Sequence, residues 1–186
     1  MRAKRKEASM SAKSTSTRYG SVAIAIHWLT ALMILELFAT GLLAAAQVDP
    51  GAKLALLRAH IPFGAGVLLL TLLRIVWWLA IDRRPVLPAD QPGWQKVMAK
   101  AVHLSLYAVI IVTASSGIAT IILSGALPAI IGSVTLPNLE TVLPRAVHGV
   151  MSRAMLGLLA LHIGAALYHQ FIRRDRLLAR MGVGAA

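Results

Sequence analysis

Four long apolar blocks, separated by short charged segments, constrain this chain more tightly than any other feature. They run from about Ser21 to Ala46, His60 to Ala80, Val102 to Leu123 and Val147 to Ile172. A helix rises about 1.5 Å per residue and the hydrocarbon core of a bilayer is roughly 30 Å thick, so a block near twenty apolar residues reads as a membrane span. Lipid offers the backbone no hydrogen bonds, so each block must be helical. The first block, with its basic leader and "LLAAAQ", imitates a secretory signal. The apolar region of such a signal spans only roughly 7 to 15 residues, and this run is far longer. The expected fold is an all-α membrane protein, a four-transmembrane-helix up-and-down bundle over residues 19–180. A disordered basic tail is expected over 1–18 and a short C-terminal tail over 181–186.

Charge sets the orientation. The chain holds 19 Lys and Arg against 7 Asp and Glu, a formal charge of +12. Arg2, Lys4, Arg5, Lys6, Lys13 and Arg18 precede the first block; Arg83, Arg84, Lys96 and Lys100 separate the second from the third; Arg173, Arg174, Arg176 and Arg180 follow the fourth. The opposite side has Lys53, Arg58 and Arg145. Cytoplasmic segments collect Lys and Arg, so both termini are expected in the cytoplasm. The basic charge then reports topology and attraction to anionic lipid, which removes the case for nucleic-acid binding.

Within these spans the histidines fall into levels. In "HGVMSRAMLGLLALHIGAALYH" His148, His162 and His169 return to one helix face, because spacings of fourteen and seven residues close to within about 40° and 20°. His27 lies roughly 13 Å beyond Arg18, and His162 roughly 16 Å before Arg173, so the two are level. His60 and His148 both lie near the opposite side. The chain thus offers two level pairs, stacked across the membrane, each drawn from two helices. Polar side chains at such depth are costly, and packing alone does not produce that arrangement. His169 and His103 are shallower and read as side chains with wet tips.

A site of two histidines without Cys or a nearby carboxylate is poorly furnished for zinc. Haem iron, whose equatorial plane the porphyrin fills, needs only axial nitrogens. With no cysteine in the chain, covalent c-type attachment and thiolate ligation are excluded, leaving b-type haem in a helix bundle. Gly64 and Gly157 would let a flat macrocycle approach the backbone. Arg74, on the face of His60 but nearer the cytoplasm, would pair with a haem propionate.

These features resemble a known family. The "AIHWL" opening of the first span, a second-span His followed fourteen residues later by Arg, and the fourth-span histidines at fourteen and seven are similar to the bacterial di-haem cytochrome b561 family, over roughly Tyr19 to Arg180. The resemblance implies that His27 with His162 holds a cytoplasmic-side haem and His60 with His148 a periplasmic-side haem. It implies an inner-membrane protein passing electrons from a periplasmic donor to quinone, and in one branch a superoxide oxidase that reduces ubiquinone. Lys53, Arg58 and Arg145 would then steer a small anion to the outer haem. The alternative is a haem b relay or anchor subunit linking a periplasmic dehydrogenase to the quinone pool. A proton transporter without haem is the reading from another class.

Glu36 and Arg153 lie outside the resemblance. Their depths, about 15 and 13 to 14 Å, agree, and they are expected to form an ion pair. Ser115, Ser116 and His103 are candidates for lining a quinone pocket. The apolar segment Ser124 to Arg145 reads as a lid or an interfacial helix.

Overall fold

The computed structural model describes residues 11–86, 91–132 and 134–184. Four helices among them are long and apolar enough to cross a membrane: Ser21–Ala46, Pro50–Ile81, Gly93–Leu123 and Leu143–Arg173. The first is α1. The second is α2 (Pro50–Val76) closed by a π-helical turn, Trp77–Ile81, and the third is α3. A short helix α4 (Leu127–Ile131) and a 3₁₀ turn (Leu139–Thr141) precede α5 (Leu143–Leu167), which also ends in a π turn, Tyr168–Arg173. The single turn α6 (Leu177–Arg180) follows.

The second and third spans are longer than the apolar blocks that announce them. Helix α2 starts at Pro50, whose missing N–H costs nothing at a helix start, and the Asp49 carboxylate accepts the Ala52 N–H at 2.7 Å. Lys53 and Arg58 therefore lie on helix. Hydropathy ends where charge begins, but the backbone has no reason to stop there.

Three residues join α1 to α2, which makes them antiparallel neighbours. Helix α1 packs on α2, α3 on α5, and α2 on α3. Ile34, Val67, Ile110 and Met155, one from each long helix, form the buried centre.

At one end the chain is capped by its own tails. Residues 11–18 lie in the stretch expected to be a disordered tail. Here Ser14 donates its N–H and hydroxyl to the Asp82 carboxylate, the hydroxyl at 2.8 Å. Trp77 Nε1 and the Arg83 N–H donate to the same carboxylate, at 3.2 and 2.8 Å. Arg180 donates to the carbonyls of Thr17 and Val86, and Trp28 Nε1 to that of Met181. Residues 1–10 of the expected tail lie outside the described residues.

At the other end, Arg58 donates to the carbonyls of Ala129, Ile130 and Gly132. Ala129 and Ile130 lie in the last turn of α4 and Gly132 is its C-cap, so a guanidinium there satisfies carbonyls at the helix end and opposes the helix dipole.

Candidate functional site

Two histidine pairs bridge the halves of the bundle. His27 on α1 faces His162 on α5, with ring centres 6.2 Å apart and planes at 69°. His60 on α2 faces His148, also on α5, at 6.1 Å and 71°. These are the pairs expected from depth. A metal–imidazole bond is about 2.0 to 2.1 Å and a ring centre lies about 1.2 Å behind its nitrogen, so two imidazoles sharing one metal stand roughly 6.4 to 6.6 Å apart. Both observed separations lie within about half an ångström of that spacing, so an iron between the rings asks for only a small outward shift of each pair.

The surroundings fit the rest of a haem unevenly. A cavity at the outer pair is lined by His60, His148, Gly64, Ile34, Val67 and Met155. Gly157 has open space beside its backbone. Two glycines that sequence reasoning missed sit closer to the ligand rings: a Cβ at Gly41 would lie 3.0 Å from the His60 ring, and one at Gly117 would lie 3.1 Å from that of His148. Each lets an imidazole lie against the neighbouring helix. Their signal in the sequence is faint, since glycine is common in packed membrane helices.

Hydrogen bonds fix the outer rings. Thr40 Oγ1 lies 3.0 Å from His60 Nδ1 and gives its own proton to the Glu36 carbonyl at 3.0 Å, so it accepts from the imidazole. His148 Nδ1 donates to the Thr113 carbonyl at 2.8 Å. Each ring thereby leaves Nε2 free of its proton, which is the form a metal ligand needs.

The inner pair differs. Arg74 Nη1 lies 3.0 Å from His27 Nδ1, and Arg74 Nε is buried with no partner. Among the described residues no carboxylate pairs with this guanidinium. A half-buried cation with an unmet donor suits an anionic group such as a propionate. His103, expected to be shallow and separate, stands edge-on to His162 at 5.2 Å, with Nδ1 on the Ala99 carbonyl at 2.6 Å.

Other expectations are revised. Glu36 and Arg153 form no ion pair; Glu36 Oε2 is buried without a hydrogen-bond partner, and Arg153 is exposed, its Nη1 3.8 Å from where a Gly149 Cβ would stand. Equal depth did not fix the direction in which either side chain points around its helix. His169 is 8% exposed and bonded to Asp175 Oδ2 at 2.5 Å, so it is a buried residue without a wet tip. Ser115 is exposed, and Ser116 turns its hydroxyl to the Thr113 carbonyl beside the outer pair, whereas His103 stands at the inner one. The three do not share a pocket. Of the outer cations, Arg58 is spread over carbonyls, Arg145 pairs with Glu140 at 3.0 Å, and Lys53 has neither kind of partner among the described residues.

Residues 18–184 match the family model described as prokaryotic cytochrome b561. The chain belongs to that family. Two Escherichia coli proteins are similar to it along nearly their whole length. Cytochrome b561 homolog 1 is 28% identical over 177 residues, covering 88% of this chain and 96% of the relative. Cytochrome b561 homolog 2 is 26% identical over 179 residues, 92% and 95% of the two chains. No solved structure matches. Membership makes the chain a haem b-binding, electron-transferring cytochrome of the bacterial inner membrane, crossing it several times.

Proposed function

We propose that this cytochrome binds two b haems, one between His60 and His148 and one between His27 and His162, and carries electrons from superoxide outside the membrane to ubiquinone. The observation that carries the reading is the pair of imidazole separations, 6.1 and 6.2 Å, placed one above the other across the bundle. Bound haem supplies one-electron storage at each position.

The chain's residues do the rest. Thr40 and Thr113 hold the outer ligands in the tautomer that exposes Nε2. Arg74, which as placed donates to His27 Nδ1, would leave that ring for a propionate of the inner haem, so that His27 carries its proton on Nδ1 and offers Nε2 to the iron. Lys53 and Arg58, which keep an unneutralised positive charge at the outer end, attract the anion. Arg145 contributes less, because Glu140 offsets it. Two superoxide ions give up one electron each and leave as dioxygen, while one ubiquinone takes both electrons and two protons to become the quinol. We place the quinone at the inner end beside His103, the one candidate lining residue next to an inner ligand.

Enzymatically generated superoxide added to purified protein in vesicles should reduce the haem and then ubiquinone. Haem that stays oxidised under superoxide, but is reduced by a partner dehydrogenase, would favour the relay or anchor subunit instead.

A further inference from the structure

An open cavity of about 180 Å³ lies where the chain's two tails meet, lined by Arg18, Asp175, Arg176, Ala179 and Arg180. Its carboxylate is already committed: Asp175 Oδ2 holds His169 at 2.5 Å and stands 3.8 Å from Arg173 Nε, and Oδ1 is buried. The arginines are not. Arg18 and Arg176 are exposed, and neither guanidinium has a hydrogen bond or ion pair among the described residues. Arg180 gives Nε to the Thr17 carbonyl at 2.8 Å and Nη2 to that of Val86 at 2.7 Å, neutral acceptors that leave its charge unbalanced.

The backbone sets this grouping up. Arg174 and Arg176 have φ of 57° and 55°, a left-handed conformation that residues with side chains rarely adopt. They stand on either side of Asp175 and turn the chain directly after the last span, so that Arg176 and Arg180 share one cavity with Arg18, which precedes the first. The depth is that of lipid headgroups. Tyr19 meets Trp78 edge-on at 5.9 Å, Arg84 lies 5.5 Å over the Trp78 ring, and Trp28 Nε1 donates to the Met181 carbonyl at 3.1 Å. Aromatic side chains with polar tips thus gather at this end of the bundle, as they do at a membrane interface. Phe171 and Ile172, just ahead of the turn, are 65% and 70% exposed and offer apolar surface to an acyl chain.

We infer that this cavity binds the phosphate of a phospholipid headgroup in the leaflet beside the two tails, with the guanidinium groups of Arg18, Arg176 and Arg180 as its donors. A guanidinium meets two phosphate oxygens through parallel N–H groups, and three around one cavity supply more positive charge than a single phosphodiester needs. The site differs from the general attraction of basic segments for anionic lipid, because it uses three particular cations and leaves out others at the same end, Lys96 and Lys100 among them. A bound lipid fastens the segment before the first span to the turn after the last, and so stabilises the folded chain in step with its occupancy. The cavity stands apart from both histidine pairs, and lipid binding there depends neither on the haem nor on the electron donor.

The test is native mass spectrometry of the purified full chain in a phosphate-free detergent, titrated with phosphatidylglycerol. One tightly retained phospholipid per chain is expected, and diacylglycerol with the same acyl chains, which lacks the phosphate, should not be retained. Arg18→Gln combined with Arg176→Gln should weaken retention about 25-fold, about fivefold for each arginine beside an anionic lipid. Lys96→Gln combined with Lys100→Gln removes the same charge from the same end and should leave retention unchanged. Added lipid should raise the thermal midpoint of the wild type and of the lysine variant, and not that of the arginine variant. Equal losses in the two double variants would show diffuse attraction, and undiminished retention in the arginine variant would place the lipid elsewhere; either result overturns the inference. So does a chain that retains no phosphatidylglycerol but binds inorganic phosphate in calorimetry, which would make the cavity a site for a soluble anion.

Discussion

His169 donates its Nδ1 proton to Asp175 across 2.5 Å, on a π turn that closes α5, and only 8% of the histidine is exposed. The bond is local to the capped end of the bundle and stands apart from both histidine pairs. His169→Ala should therefore retain full haem content while losing about 1.5 to 3 kcal/mol of stability, the worth of a hydrogen bond to a charged group. Haem content and the thermal midpoint in detergent check this together. Loss of one haem in this variant would mean that His169, and not His162 or His27, serves as a ligand.

Glu36 and Arg153 lie at similar depth yet form no ion pair. Breaking a buried pair from one side costs about 3 to 5 kcal/mol. Glu36→Gln keeps the shape of a side chain whose Oε2 has no partner, and should cost less than about 1 kcal/mol. In a double-mutant cycle with Arg153→Gln the coupling should be close to zero. A coupling of several kcal/mol would show that the two charges meet.

The Asp82 cap gives the tail an acid limit. Burial alone would push the Asp82 carboxyl up, but the bonds from the Ser14 hydroxyl and N–H, the Arg83 N–H and the Trp77 indole hold it below the usual aspartate value. Stability from such a group is complete above the unfolded value, about 3.9, and is lost as pH falls through the lower folded value. The chain has no cysteine, so a spin label at Lys13→Cys reports the cap alone. The label should stay immobile down to about pH 4 and loosen below it, and Asp82→Asn should loosen it at every pH. Release near pH 6 would assign the cap to some other group.

Much of this architecture is legible in the sequence because membrane depth is a one-dimensional quantity. Spacing along a helix gives the level of each histidine, and two level pairs follow without knowledge of the packing. Direction around the helix is another matter. Equal depth says nothing of whether Glu36 faces Arg153, and nothing of His103 turning toward His162. Bonds made through backbone carbonyls, such as His148 to Thr113, leave no mark on residue type. Gly41 and Gly117 matter for the rings they admit from another helix, a relation that sequence order does not carry.

At the outer end the cations are not equivalent. Arg58 carries its charge while bonded to neutral carbonyls, and Lys53 carries one free of hydrogen bonds and ion pairs among the described residues, whereas Arg145 is offset by Glu140. If superoxide is the donor, Lys53→Gln should slow haem reduction more than Arg145→Gln does. The difference should fade as salt shortens the screening length from about 8 Å at physiological ionic strength to about 3 Å at 1 M. Rates indifferent to both salt and Lys53 would remove steering from the account.

The claim that each histidine pair holds one haem is tested most directly by counting haem in single-histidine variants. The wild-type chain should yield two b haems per polypeptide, with the visible spectrum of low-spin, doubly imidazole-bound iron and no covalent attachment. His60→Ala and His148→Ala should each lose one haem, and the same one. His27→Ala and His162→Ala should each lose the other. A wild-type chain with one haem, or a pattern in which His60 and His148 variants lose different haems, would contradict the pairing on which the whole account stands.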